Sequence, residues 1–374
     1  APNGKGGFDF KQVYRFCSKK NCADGENPVT PLIIDTNGNL YGATQSGGPS
    51  GNGVVFELVP NADHTAWTRV TLYGFCPSGT QPCLDGGEPN GPLMYAGAQT
   101  GAPYDGTSPL YGVTAIGGNG NGGMGAGVLF RLTPINGKTK RKEKVLYNFC
   151  SQANCADGAD PWGLTIDTNG TLYGTTENGG DQTHDAGVVF EFAPKTLTET
   201  VLHTFCTFVQ EPACADGQDP QTLLTWDAQG RLYGTTLSGG GGGLGVLFRV
   251  TPKGTKSTEE VLYTFCRLSN CTDGGFPFGV TIGSNGDIFG TAALGNKYPG
   301  TDCLDQKIGC GVLFRLNGTS YKVLHQFCPT GPVSCADGAA PIASNIFIDS
   351  TGDMFGTAAY GGAHGSGTVW EYTP

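Results

Sequence analysis

The sequence predicts an all-β fold, a six-bladed β-propeller of four-stranded blades closed by its N-terminal strand. Three observations predict it. A unit of about 56 to 74 residues, aligned on Phe-Cys, returns six times, near 8–67, 68–141, 142–198, 199–257, 258–318 and 319–374. Each unit holds four short strand signals separated by Gly- and Asn-rich turns, and no stretch has a convincing helical period. Units that cannot bury their faces alone stack, and at this period they stack as propeller blades. One domain over 1–374 is therefore expected.

"GLTID" (Gly163 to Asp167) follows a proline and reads as the innermost strand. "TLYGTT" (Thr171 to Thr176) follows an Asn-Gly pair, a strong hairpin signal. "GVVFEF" (Gly187 to Phe192) follows a Gly-rich loop and places Val188, Phe190 and Phe192 on one face. "VLYTF" (Val261 to Phe265) is rich in β-formers and reads as the outermost strand. The chain starts with one such outer strand, Val13 to Phe16, and ends after "GTVWEY". Pairing of the two would close the ring with no exposed edge.

Gly makes up 63 of 374 residues without a Gly-X-Y period, which excludes collagen and points to dense tight turns. Charged residues are 14 % and the net charge is −10. That balance does not suit a nucleic-acid binder. No apolar run reaches the ~18 residues of a membrane-spanning helix, so no membrane insertion is expected.

The 14 cysteines fall into close pairs: Cys17/Cys22, Cys76/Cys83, Cys150/Cys155, Cys206/Cys214, Cys266/Cys271, Cys303/Cys310 and Cys328/Cys335. Zinc needs four ligands per site, and five scattered histidines cannot complete six sites, so no metal or other cofactor is expected. Local disulfides are the better reading, each worth roughly 2 kcal/mol of unfolded-state entropy. Such bonds persist in the periplasm or outside the cell. The opening "APNGKGG" fits a mature N-terminus left after signal-peptide removal, so a secreted or periplasmic protein is expected.

The run "LYGTTENGG…GVVFEFAP…VLHTFC" resembles the GloVer-type tandem repeat of exported bacterial proteins, and the likeness covers almost the whole chain six times. The resemblance implies an extracellular propeller and says little about chemistry.

Repeated residues read as scaffold. Asp24, Asp85, Asp157, Asp216, Asp273 and Asp337 each precede a glycine just after a cysteine pair. An Asx-turn explains their presence in every unit, with a ring of cation- or sugar-binding carboxylates as the alternative. The glycines of "LYGTT" (Gly42, Gly112, Gly174, Gly234, Gly290, Gly356) fit close strand approach. Glu57, Arg131, Glu191, Arg249, Arg315 and Glu371 share one place on the third strand, as contacts between blades or as a solvated edge. His203 and His325 stand where other units have Tyr and read as packing variants.

Function is sought where the repeats differ. The residues flanking the proline of each inner strand are Asn27/Val29, Glu88/Asn90, Asp160/Trp162, Asp219/Gln221, Phe276/Phe278 and Ala340/Ile342. In the expected strand order they ring the mouth of the central channel. Glu88, Asp160 and Asp219, with Trp162 and Phe278, form the candidate ligand site, and Tyr298 of the 293–311 insertion is a candidate recognition residue. Carboxylates beside aromatic rings suit sugar binding or glycosidic-bond chemistry, whereas a solvated rim would carry the same acids before proline. The run "GKTKRKEK" (Gly137 to Lys144) reads as a solvated loop, with attachment to an anionic polymer as the alternative. No G-x-S-x-G, H-E-x-x-H or EF-hand loop is present. Two functions follow: a propeller that binds a polysaccharide, cell-surface glycan or other extracellular partner, or a polysaccharide hydrolase or lyase working at the channel mouth.

Overall fold

The computed structural model describes residues 11–374 except 80–81, 121–124, 137–138, 182, 208–213, 254–255, 296–308, 330–334 and 343–344. It is a β-propeller of six antiparallel blades, each a meander in chain order. By internal packing the chain divides into two compact units, Ala1–Asn148 and Phe149–Pro374.

In the first unit β1 (Ile33–Ile34), β2 (Leu40–Thr44), β3 (Val54–Pro60) and β4 (Trp67–Gly74) form blade 1. Blade 2 consists of β5 (Gly87–Met94), β6 (Leu110–Ile116), β7 (Val128–Pro134) and β8 (Arg141–Asn148). The second unit holds four blades. Blade 3 is β9 (Ala159–Ile166), β10 (Leu172–Asn178), β11 (Val188–Ala193) and β12 (Thr198–Thr204). Blade 4 is β13 (Thr225–Trp226), β14 (Leu232–Thr235), β15 (Val246–Thr251) and β16 (Thr258–Thr264). Blade 5 is β17 (Gly275–Ile282), β18 (Ile288–Leu294), β19 (Val312–Asn317) and β20 (Ser320–Gln326). Blade 6 has three described strands, β21 (Phe347–Ile348), β22 (Met354–Ala358) and β23 (Thr368–Tyr372).

Pairing of Val13–Phe16 with β23 is not among the described ladders, and residues 11–16 carry no strand. Val369 of β23 is 80 % exposed, whereas its counterparts Val55, Leu129, Val189, Leu247 and Leu313 are fully buried under a fourth strand. Phe16 packs on Phe56 of blade 1, ring centroids 4.8 Å apart, as Phe75 packs on Phe130 at 5.1 Å.

That aromatic contact is one half of a layer found in every blade. The glycine of the second strand lies directly opposite the aromatic residue of the third: Gly42–Phe56, Gly112–Phe130, Gly174–Phe190, Gly234–Phe248, Gly290–Phe314 and Gly356–Trp370. A Cβ on Gly42, Gly174, Gly234 or Gly290 would stand 2.9, 2.7, 2.6 or 2.5 Å from the opposing ring, and one on Gly112 or Gly356 closer still. The glycines are there because the ring lies across them. The Phe of the preceding Phe-Cys motif then meets that ring edge-on, for instance Phe149–Phe190 at 5.1 Å, Phe265–Phe314 at 5.2 Å and Phe327–Trp370 at 5.6 Å.

The cysteine loops hold those phenylalanines in place. Cys17–Cys22, Cys76–Cys83, Cys150–Cys155, Cys206–Cys214, Cys266–Cys271 and Cys328–Cys335 are bonded within their own loops. Cys310 is also disulfide-bonded; Cys303 lies outside the described residues. The repeated aspartate braces each loop from within. Asp24 accepts hydrogen bonds from Tyr14 Oη (2.9 Å), Ser18 Oγ (2.7 Å) and the Lys19 N–H (3.1 Å). Burial opposes ionisation of Asp24, but those bonds outweigh it and hold the carboxyl well below its ordinary value. Asp273 accepts from Tyr263 Oη at 2.8 Å and from the Arg267 N–H at 2.9 Å. His203 and His325 do more than pack, since each Nε2 meets the carboxylate of Asp216 (3.1 Å) or Asp337 (2.9 Å). The bonds reach back to the preceding loop, so these are braces rather than simple Asx-turns.

Two expectations change. The basic run is not all solvated loop: β8 begins inside it, and buried Arg141 donates to Tyr104 Oη (2.7 Å) and to the Gly106 carbonyl (3.0 Å). Three of the third-strand acids and bases find partners within their own blades: Glu57 accepts from Tyr41 Oη (2.8 Å), Arg249 pairs with Glu260, and Arg315 stands 3.7 Å from Asp287.

The residue four before the strand-four Tyr or His faces the brace of the preceding repeat. Glu143 there feels Asp85, and Glu259 feels His203 and Asp216. One carboxylate oxygen of each is enclosed without a hydrogen-bond partner. Burial, with the neighbouring aspartate adding to it, pushes Glu143 up to about 7; burial likewise carries Glu259 to about 7 despite the opposing pull of His203. A carboxyl whose folded pKa exceeds its unfolded value binds its proton more tightly when folded. Stability is therefore lost as pH climbs from about 4.5 to about 7 and stays lowered above that. Glu143→Gln and Glu259→Gln should each raise the melting temperature at pH 8 and leave it nearly unchanged at pH 4. Equal effects at both pH values would contradict this assignment.

Candidate functional site

Asp160 and Trp162 stand on β9 of blade 3, on either side of Pro161, and both are half-buried. Asp160 has a left-handed backbone (φ 53°), as do Asn27, Glu88, Asp219, Phe276 and Ala340 at the same place in the other repeats. This conformation lets the residue stitch a seam. The Asp219 N–H donates to the Ala186 carbonyl of the preceding blade at 3.1 Å, and its carbonyl accepts from the Leu237 N–H at 3.0 Å. Glu88 makes the corresponding bond to the Asn52 carbonyl at 3.0 Å.

The side chains at this position are free to vary, and in blades 3 and 4 they gather acids. Trp162 Nε1 donates to Glu177 Oε2 at 3.1 Å. Glu177 follows the "LYGTT" run on β10, diagonal to Trp162 across the β9–β10 ladder. Asp160 Oδ2 accepts from Asn178 Nδ2 at 2.8 Å, and Asp219 Oδ2 accepts from Ser238 Oγ at 2.5 Å. Burial raises the Asp160 carboxyl above its ordinary value against the bond from Asn178, and the Asp185 charge adds to the rise. Burial also raises Glu177; the bond from Trp162 opposes it, and the charges of Asp160 and Asp219 reinforce it. Three carboxylates are thus gathered beside one indole, the charges of Asp160 and Asp219 acting on Glu177. Such a set can accept and donate hydrogen bonds to a polyol and hold a proton on one carboxyl.

The other candidates lie elsewhere. Phe278 is half-buried on β17 of blade 5 and, among the described residues, makes no hydrogen bond or ring contact with the cluster. Glu88 belongs to β5 in the first unit. Tyr298 lies outside the described residues. Among the described residues two places bring three possible metal-ligating atoms within 4.8 Å, Cys17/Cys22/Glu26 and Cys310/Cys328/Cys335, but their cysteines are disulfide-bonded and offer no thiolate.

Glu177 is absent from the sequence-based candidates, although a signal for it exists. The position after "LYGTT" reads Gln45, Ala115, Glu177, Leu237, Ala293 and Ala359, so only blade 3 brings an acid there. Side-chain carboxyl titration by carbon-13 NMR should place the midpoints of Asp160 and Glu177 above their ordinary 3.8 and 4.5. Midpoints at or below those values would mean that the two groups are solvated and that no acid cluster forms.

No curated protein matches the chain in sequence. Among solved structures, PorZ, a surface component of the type-IX secretion system of Porphyromonas gingivalis, is 12 % identical with a TM-score of 0.44. The match covers 87 % of this chain but only 38 % of PorZ. A luciferin-regenerating enzyme is 12 % identical over 94 % of this chain and 92 % of its own, with a TM-score of 0.49. A protein of unknown function from Dyadobacter fermentans is 13 % identical over 91 % and 92 %, with a TM-score of 0.46. Likeness at this level says nothing of chemistry. The Gloeobacter/Verrucomicrobia repeat matches residues 98–329, more than half of the chain, and the chain belongs to that family.

Proposed function

We propose that this propeller is a binding protein of an oxidising compartment outside the cytoplasm, and that it takes a polysaccharide or cell-surface glycan at Trp162. The compartment is supported by the disulfides, which persist where thiols are not kept reduced. One observation carries the glycan reading: the Trp162–Glu177 bond at 3.1 Å, set beside Asp160 and Asp219, with Trp162 and Glu177 the one indole and the one acid at their positions of the repeat. An indole gives a sugar ring a stacking face, and the surrounding carboxylates and amides meet its hydroxyls.

A second reading, a polysaccharide hydrolase or lyase, is favoured by the raised Asp160 and Glu177 carboxyls. A protonated carboxyl beside an ionised one is the pair that glycosidic cleavage needs. A glycan array run beside a reducing-sugar release assay distinguishes the two. Trp162→Ala should weaken a bound glycan by about tenfold or more, from the lost burial of an aromatic face. Glu177→Gln should keep most of the affinity if the site only binds, and should cost turnover about 10²-fold or more if it cleaves. A chain that binds glycans equally well after both changes would overturn the placement of the site.

A further inference from the structure

Blade 5 departs from the repeat in a second place, the hairpin between its first two strands. In blades 1, 3, 4 and 6 that turn opens with an aspartate (Asp35, Asp167, Asp227, Asp349) whose carboxylate accepts backbone N–H groups two and four residues on. In blades 1 and 4 it also accepts the tyrosyl hydroxyl of the second strand, Tyr41 at 3.1 Å and Tyr233 at 2.9 Å. Blade 5 has Gly283 for the aspartate and Phe289 for the tyrosine. The turn itself is kept, since the Gly283 N–H donates to the Asp287 carbonyl at 2.8 Å as the Asp35 N–H does to Asn39 at 3.0 Å. What is lost is a carboxylate and a hydroxyl from the same spot.

A cleft of about 410 Å³ opens there between blades 5 and 6. Its apolar floor is Phe289, Leu324, Ile348 and Met354, Tyr372 adds a ring to the wall, and Arg315, Lys322 and the carboxylate of Asp287 stand around it. Two other seams fill the equivalent place with an aromatic ring from the chain itself, whereas the blade 4–blade 5 seam uses Ile282 beside Tyr233. Trp226 sits edge-on to Tyr173 at 4.7 Å, and Tyr104 sits edge-on to Tyr41 at 5.1 Å with Arg141 donating to its hydroxyl. Ile348 occupies the Trp226 position, as Ile282 does in blade 5, and among the described residues no ring pairs with Phe289, Tyr372 standing at the wall of the cleft.

The cations are under-used. Arg249, the counterpart of Arg315, is bonded to Glu260, with the Tyr233 hydroxyl as a further neighbour. Arg315 has no tyrosyl partner, its Nε is enclosed without a hydrogen bond, and its Nη1 stands 3.7 Å from Asp287. Asp287 is already engaged by Asn285 (2.9 Å) and Asn317 (2.5 Å). Over the apolar floor the cleft thus sets two cations, Arg315 and Lys322, against the one buried carboxylate of Asp287.

We propose that the cleft binds a small planar carboxylate, its ring on Phe289 and its charge on Arg315 and Lys322. The ligand supplies from outside what Trp226 and Tyr104 supply from within the chain. An apolar recess with a few convergent polar groups is the usual form of such sites, and the guanidinium suits a carboxylate in particular.

Calorimetric titration with 2-naphthoate tests the site. The parent chain should bind one equivalent saturably. Arg315→Gln should weaken binding about tenfold or more, as loss of a charge-assisted bond does. Gly283→Asp with Phe289→Tyr restores the repeat's own pair, refills the space and should abolish binding. Trp162→Ala, in the separate glycan site, should leave binding unchanged. Should Arg315→Gln fail to fold, Lys322→Gln reads the same rim charge. No saturable binding by the parent, or parent-like affinity in the Arg315 and refilled variants, would overturn the proposal.

Discussion

The structure depends on an aromatic ring laid across a glycine. Within each blade the third-strand ring covers the bare backbone of its opposite residue, a pairing that compensates a strand glycine for its missing side chain. Between blades, the Phe ahead of each cysteine loop closes on that ring edge-on. The short disulfide and the Asp–Tyr or Asp–His brace then hold the loop that delivers the Phe. One layer thus links the "LYGTT" glycine, the third-strand aromatic, the Phe-Cys motif and the Asp-Gly, which explains why these four features recur together.

Much of this was legible in the sequence. Period, strand order and cysteine pairing come from spacing along the chain, and spacing is what a local disulfide or a meander depends on. What escaped depends on contacts between repeats. The partner of Asp216 is His203, on the strand before the loop, and the burial of Glu143 comes from facing the brace of the preceding repeat. Neither follows from neighbours in sequence. Arg141 was hidden for a similar reason: a basic run looks solvated until Tyr104, from a long hairpin, is placed over it. Trp162 and Asp160 stood out because they flank a recognisable proline, whereas Glu177 becomes visible only when every position of the frame is compared.

A scaffold so regular confines specificity to positions that carry no seam contact. At Glu88, Asp219, Phe276 and Ala340 the left-handed residue before the inner proline joins two blades through its backbone, so its side chain can change from Glu to Asp, Phe or Ala. Blade 3 uses that freedom to gather acids around an indole. Blade 5 gives up an Asp–Tyr pair and gains a cleft. Both departures leave the Gly–Phe–Phe layer intact, as Gly174–Phe190 and Gly290–Phe314 show.

A double-mutant cycle on Phe205 and Phe248, rings 5.1 Å apart across the seam between blades 3 and 4, tests the central claim most directly. Each would be changed to Leu, singly and together, and stability read by denaturant unfolding. The account predicts a coupling of about 0.5–1.5 kcal/mol beyond the lost area. Additive losses would show that the rings are filler and that the blades are held by something else.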